Sequence, residues 1–264
     1  MLKFIFIGDI MGKIGRKAVT KIIPQWKKQY KPDLIIANVE NLAHGKGITE
    51  KTILEMLDAG VDFFTSGNHV WDKKEAYKIF EDPKASIIRP ANYPPGVPGD
   101  GYRIIKIGKT KILITNLMGR VFFREDFECP FRTIDQILDS IPKDVKIIIV
   151  DFHAEATSES KSMGFYLTNR ASAVLGTHTH VGTCDYEILD KHTAYVTQVG
   201  MAGAKNSSLG IKFEPVIENY LTQLPTGHEL PEKGLAEINA IFLEIKEDGK
   251  AKKIKKLYEE VEIS

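Results

Sequence analysis

Five short runs of apolar residues punctuate the first two thirds of the chain, and each one stops at polar residues. They are "KFIFIGD" (Lys3–Asp9), "DLIIANVEN" (Asp33–Asn41), "VDFFTSGNH" (Val61–His69), "VKIIIVDFH" (Val145–His153) and "SAVLGTHTH" (Ser172–His180). Continuous apolar runs of this length fit strands covered on both faces. Helical patterns lie between several of them. Ala18, Val19, Ile22, Ile23 and Trp26 share one face, with Pro24 expected to kink that helix or to mark a boundary. Thr49 is placed to cap a helix carrying Ile53, Leu54, Met56 and Leu57, which Gly60 ends. Asp72 with Glu75 reads as a capping-box-like start for a helix running through Phe80.

The middle of the chain has a different texture. "RPANYPPGVPGDG" (Arg89–Gly101) is a loop, and the strand-like runs "YRIIKIG" and "TKILITN" that follow it are separated at Gly108 and Lys109 as in a hairpin. A second hairpin is expected between "INAIFLEI" and "AKKIKKLYEEVEI", turning at Asp248 and Gly249. No repeat, low-complexity tract or linker interrupts the pattern. The expectation is one α/β domain over residues 1–264, with mixed sheets packed face to face.

Composition narrows this only a little. The 264 residues are 43% hydrophobic, a globular composition long enough for one substantial core. Thirty-six basic against thirty-five acidic residues leave a formal charge of +1. That balance offers no nucleic-acid tether and no membrane-seeking surface, although a small anionic substrate needs only a local site. Cys129 and Cys184 lie far apart and make no disulfide framework, which fits a reducing cytoplasm. The apolar start is too short for a signal-peptide core, and no segment approaches the roughly 20 apolar residues of a membrane span.

The strand ends carry the chemistry. Asp9, Glu40 with Asn41, Asn68, His153, and the pair His178 and His180 all stand where an apolar run stops. Ligands of open α/β sheets bind beyond the carboxyl ends of the strands. Oxygen and nitrogen donors without thiolates suit Mn²⁺, Fe²⁺ or Zn²⁺, and one glutamate can bridge two such ions. In an extended segment side chains two residues apart point the same way, so His178 and His180 are expected to serve neighbouring ions. Singly, each residue has an ordinary reading: Asp9 in a turn, Asn68 as a cap, His153 as a hydrogen-bonded core histidine. Jointly they point to a binuclear site.

At these residues the chain resembles the binuclear metallophosphoesterases, and more closely the bacterial YmdB-like family of 2′,3′-cyclic-nucleotide 2′-phosphodiesterases. The matching stretches are "IGDIMGKIGR", "ANVENLAHGKGIT", "TSGNHVWD", "RPANYP", "DFHAEATSE", "GTHTHVGTCD" and "QVGMAG". The resemblance implies a calcineurin-like sandwich of two mixed sheets flanked by helices. It also implies that Asp9, Glu40, Asn41 and His180 hold one ion, while Glu40 bridges to a second held by Asn68, His153 and His178. His69 matches the proton donor, and a metal-activated water would convert a 2′,3′-cyclic nucleotide to its 3′-phosphate. Many metallophosphoesterases have histidine where Met11 stands, an absence that the YmdB-like group shares with Asn41 as the apparent substitute. Ser160 and Gln198 replace the lysine and aspartate expected within the group.

Other readings stay open at this point. The ions can serve another phosphoester, such as a 3′,5′-cyclic nucleotide, an RNA end or a phosphoprotein. The chain can also be a regulatory protein acting through partner binding, and its helices or hairpins can build a dimer or larger oligomer. Trp71, Tyr93 and Phe122 can stack a base or pack in the core.

Overall fold

The computed structural model describes residues 1–264. The first sheet contains β1 (Leu2–Ile7), β2 (Asp9–Ile10), β3 (Leu34–Asn38), β4 (Phe63–Thr65), β11 (Met201–Ala204), β12 (Gly234–Ile245) and β13 (Ala251–Ile263). Its order is β2-β11-β12-β1-β3-β4, with β13 along the other edge of β12. The second sheet runs β5 (Tyr102–Ile107), β6 (Thr110–Met118), β7 (Ile147–His153), β8 (Ala173–Thr177), β10 (Thr193–Val196) and β9 (Glu187–Leu189). Both sheets are mixed: β1, β3 and β4 are parallel, as are β6, β7, β8 and β10, while hairpin partners are antiparallel.

The unbroken apolar runs have a direct cause. In β1, Phe4 and Phe6 face a core shared with Ile112, Ile114, Ile149 and Leu175 of the second sheet, whereas Ile5 and Ile7 face a separate core under the helices. Alternate residues thus serve two apolar layers. Helices α1 (Gly12–Tyr30), α2 (Glu50–Ala59) and α3 (Glu75–Glu81) cover the first sheet; α4 (Pro130–Ser140) and α5 (Thr157–Tyr166) cover the second. The result is a sandwich of two mixed sheets between helical layers. A last helix, α6 (Phe213–Thr222), buries none of its residues.

Local signals mostly behave as their chemistry dictates. Ala18, Val19, Ile22, Ile23 and Trp26 are all buried, and α1 continues through Pro24 without ending there. Thr49 accepts from the Thr52 amide at 3.3 Å and Gly60 closes α2 in the left-handed region. Both hairpins form, at Gly108–Lys109 and at Asp248–Gly249. The expected capping box at Asp72 does not: Asp72 ends a short 3₁₀ turn, Asn68–Asp72, and its carboxylate is taken by His69, 3.2 Å away. Helix α3 therefore starts later and without a side-chain cap. No helix is long and apolar enough to cross a membrane.

The break between β1 and β2 positions the first candidate ligand. At Gly8 the chain leaves β12 and joins β11. A side chain there would put Cβ 1.7 Å from the Gly200 carbonyl oxygen, so only glycine lets the two backbones pass. Asp9 follows immediately, completely buried at the sheet's carboxyl edge.

Candidate metal centre

The carboxyl ends of the two sheets face one another at one edge of the sandwich, and the polar residues of the strand ends meet there. Glu40 and Asn41 follow β3, Asn68 opens the turn after β4, His153 ends β7, and His178 and His180 follow β8. Donor atoms of Glu40, His153 and His178 all lie within 4.8 Å of one another. His153 Nε2 is 3.3 Å from Glu40 Oε1 and 3.1 Å from His178 Nδ1. Asp9 Oδ1 lies 3.7 Å from His153 Nδ1, and Asn41 Nδ2 lies 3.2 Å from His180 Nε2. All eight residues singled out in the sequence, His69 included, border this region.

Backbone amides from across the site fix the two carboxylates. Asp9 Oδ2 accepts from the His178 amide at 3.1 Å, and Glu40 Oε2 accepts from the His69 amide at 2.9 Å. Asp9 Oδ1 and Asn68 Oδ1 are buried with no hydrogen-bond partner. An unpaired buried acceptor costs about 1–3 kcal/mol, and a divalent cation satisfies such oxygens together with imidazole nitrogens. These residues fit a metal. Space is reserved as well: a Cβ on Gly67 would stand 2.2 Å from Glu40 Oε2 and 2.4 Å from His153 Nε2.

A buried polar layer behind the site orients its imidazoles. Asp151 is fully buried within β7 and accepts from Thr65 Oγ1, from Asn38 Nδ2 at 3.0 Å and from Thr177 Oγ1 at 2.6 Å. Thr177 has a single hydroxyl proton and gives it to Asp151, so its oxygen accepts from His153 Nδ1 at 2.9 Å. His153 therefore keeps Nδ1–H and turns Nε2 toward Glu40. His178 is held the other way, with Nε2 2.9 Å from Glu155 Oε2 and Nδ1 toward the site. Such outer partners fix the tautomer of a ligating histidine.

The charge balance among these groups follows from burial. Burial by itself pushes the His153 imidazolium down, but the Glu40, Asp9 and Asp151 carboxylates outweigh it and raise its pKa to about 9. Burial and the neighbouring His153 push His178 down to about 3. Burial would raise Glu40, yet His153 holds its carboxyl well below the usual range. Asp9 is raised, chiefly by burial. Burial likewise raises Asp151 to about 6 against the opposing effect of His153 and its three hydrogen-bond donors.

One expectation about geometry is corrected. His178 and His180 do not lie on extended backbone; their φ angles are 105° and 62°. They diverge, His178 toward His153 and His180 toward Asn41, with His180 Nδ1 2.9 Å from the Leu209 carbonyl oxygen. Gln198 pins the residue between them, accepting from the Thr179 amide at 3.3 Å and donating to Ala154 at 2.9 Å. Sequence reasoning missed Asp151, Thr177, Glu155 and Gly67. Of these only Asp151 left a signal, a carboxylate inside the apolar run "IIIVDFH".

Comparison with known proteins gives the chain's relatives. The family described as YmdB-like protein matches residues 5–257. The chain is 41% identical over 256 residues to a 2′,3′-cyclic-nucleotide 2′-phosphodiesterase of Bacillus subtilis (strain 168), covering 97% of this chain and 95% of that protein. A crystal structure of a novel phosphatase from Mycoplasma pneumoniae superposes with a TM-score of 0.93 at 33% identity, covering 99% of this chain and 94% of that one. A hypothetical protein from Thermus thermophilus gives a TM-score of 0.91 at 39% identity over 98% of this chain and 99% of its own.

Proposed function

The chain belongs to the YmdB-like family, and on that premise we propose that it is a binuclear-metal phosphodiesterase that opens 2′,3′-cyclic nucleotides to 3′-phosphonucleotides. The observation that carries this reading is the convergence of Glu40, His153 and His178 beside two unpaired buried oxygens, Asp9 Oδ1 and Asn68 Oδ1. Asp9, Glu40, Asn41 and His180 would hold one ion, and Glu40, Asn68, His153 and His178 the other. Oxygen and nitrogen donors of this kind favour iron or manganese, with zinc also accommodated. When bound, the ions supply positive charge for the phosphoryl oxygens and an acidified water as nucleophile.

The protein's own groups do the rest. The His178 and His69 amides keep the Asp9 and Glu40 carboxylates aimed at the site before substrate arrives, so little reorganisation is needed during reaction. His69 donates the proton that the departing ribose 2′ oxygen takes up as the P–O2′ bond breaks. Asp72 holds its ring through Nδ1, 3.2 Å away, and leaves Nε2 without a protein partner. A carboxylate behind an imidazole fixes the orientation of the ring, as general acid catalysis requires. Both cysteines are free, which suits the reducing cytoplasm in which we place the enzyme.

The test is initial rates of metal-loaded protein on 2′,3′-cyclic AMP, 3′,5′-cyclic AMP and an aryl phosphodiester, with the nucleotide products separated. Preference for the 2′,3′ ring with 3′-AMP as product is expected. Turnover of the aryl ester alone would assign the site to another phosphoester, and no turnover with iron, manganese or zinc would favour a regulatory protein.

A further inference from the structure

A cavity of about 590 Å³ is lined by Arg89, Arg120 and Arg132 with Asn92, Tyr93 and Glu128. The arginine ion pairs of the molecule involve Arg16, Arg103 and Arg170. The three guanidinium groups of the cavity therefore have no carboxylate within ion-pair reach. Arg89 is anchored by donating to the Pro90 and Pro98 carbonyls at 2.8 and 3.2 Å, which fixes its position without cancelling its charge. Arg120 and Arg132 are exposed. Three guanidinium groups line the cavity against the carboxylate of Glu128, with Asp100 near Arg89 and Glu159 on the Arg120 amide as the other carboxylates close by.

Its walls are tied to the metal-ligand cluster. Asn92 accepts from the Met118 amide at 2.8 Å and donates to the Met118 carbonyl at 2.9 Å, and Met118 pairs with His153 across β6 and β7. An aromatic ridge joins the two places. Tyr93 lies 4.9 Å from Phe127, Phe127 lies 6.0 Å from Phe123, and Phe123 lies 4.8 Å from His178, ring centre to ring centre. Arg120 is three residues from Phe123, so their Cα atoms are at most about 11 Å apart.

Resting on the function proposed above, we propose that this cavity binds a second phosphate, carried on the 5′ side of the nucleoside whose cyclic phosphate enters the metal-ligand cluster. Guanidinium forks match phosphate oxygens two at a time. Cations beside the half-buried Tyr93 and Phe123 rings, which pack on the buried Phe127, suit a nucleotide whose base stacks on an aromatic face. The phosphate comes either from a 5′-phosphorylated mononucleotide or from the internucleotide linkage of an RNA 3′ end, and the cavity offers the same chemistry to both.

The experiment compares adenosine 2′,3′-cyclic phosphate, its 5′-phosphorylated form and the dinucleotide ApA ending in a cyclic phosphate, with metal-loaded wild type and the double variant Arg120→Ala/Arg132→Ala. A 5′-side phosphate is expected to raise kcat/KM about ten- to a hundredfold in wild type, and added salt to shrink the gain. In the double variant the gain disappears while the rate on unphosphorylated adenosine 2′,3′-cyclic phosphate stays the same. A larger gain with the mononucleotide points to a free 5′-phosphate, and a larger gain with the dinucleotide points to an RNA end. No gain in wild type, or a gain that survives in the variant, overturns the proposal. Should none of the three be hydrolysed, the functional reading fails and titration with adenosine 5′-monophosphate decides the cavity by itself. Weaker binding in the variant sustains it; equal binding overturns it.

Discussion

The two sheets contribute unlike halves to one site. The first sends carboxylates and amides, from Asp9, Glu40, Asn41 and Asn68; the second sends imidazoles, from His153, His178 and His180. Their supports differ too. The carboxylates are held by backbone amides reaching across from His178 and His69, whereas His153 and His178 are held by side chains behind them, Thr177 with Asp151 and Glu155. The two carboxylates of the anionic half are held by main-chain amides rather than by side chains. His153 and His178, fixed by side chains, depend on residues that never touch the reacting atoms, while His180 leans on the Leu209 carbonyl.

The strongest way to break this comparison is at Glu40, the carboxylate of the first half that faces His153 of the second. Glu40→Gln removes the carboxylate that faces His153, and hydrolysis is expected to fall by about 10³-fold or more, with loss of bound metal measured by elemental analysis. His69→Ala should lower turnover of a 2′,3′-cyclic nucleotide about 10²- to 10⁴-fold and leave metal content unchanged; equal loss of metal would make His69 a ligand. Asp151→Asn tests the imidazole half from behind. It leaves one acceptor oxygen and adds an NH₂ donor where three donors converge, so Thr65, Asn38 and Thr177 cannot all stay paired, and metal affinity should drop about 10- to 100-fold while backbone-held Asp9 and Glu40 stay in place. Unchanged affinity would mean that β7 alone orients His153.

A smaller effect separates the two histidines by pH. With its pKa near 9, His153 holds a proton at neutral pH that an incoming cation must displace. His178, near 3, holds none. Apparent metal affinity should therefore rise about tenfold per pH unit below pH 9, with about one proton released, measurable by calorimetry in buffers of different ionisation enthalpy. Release of two protons would show that a second group, His178 or the buried Asp9, also starts protonated. Glu155→Gln should have the least effect, a few-fold loss of affinity, because Glu155 is half exposed and water can replace it.

How much of this is legible in the sequence depends on where a residue's meaning resides. The sandwich can be read because runs such as "FIFI" must be covered on both faces, and the strand-end residues can be found because each interrupts an apolar run. Asp72 misleads, since sequence spacing shows a cap but not the His69 ring that competes for the same carboxylate. The conformations of His178 and His180 are hidden because "THTH" reads as extended unless the Gln198 contacts of Thr179 and Ala154 are known. Asp151 is visible as a letter but not as a partner: the three groups donating to it come from three other strands.

Gly67 has a bearing that no count of donors reveals. Its φ of −161° is extended backbone open to any residue, so glycine is needed there for room and not for flexibility. A single methyl at this point would overlap both a carboxylate oxygen of one sheet and an imidazole nitrogen of the other. A chain could keep every ligand-type residue and still have nowhere to put a cation. The emptiness at Gly67 is thus a dimension of the centre, guarded by the absence of an atom.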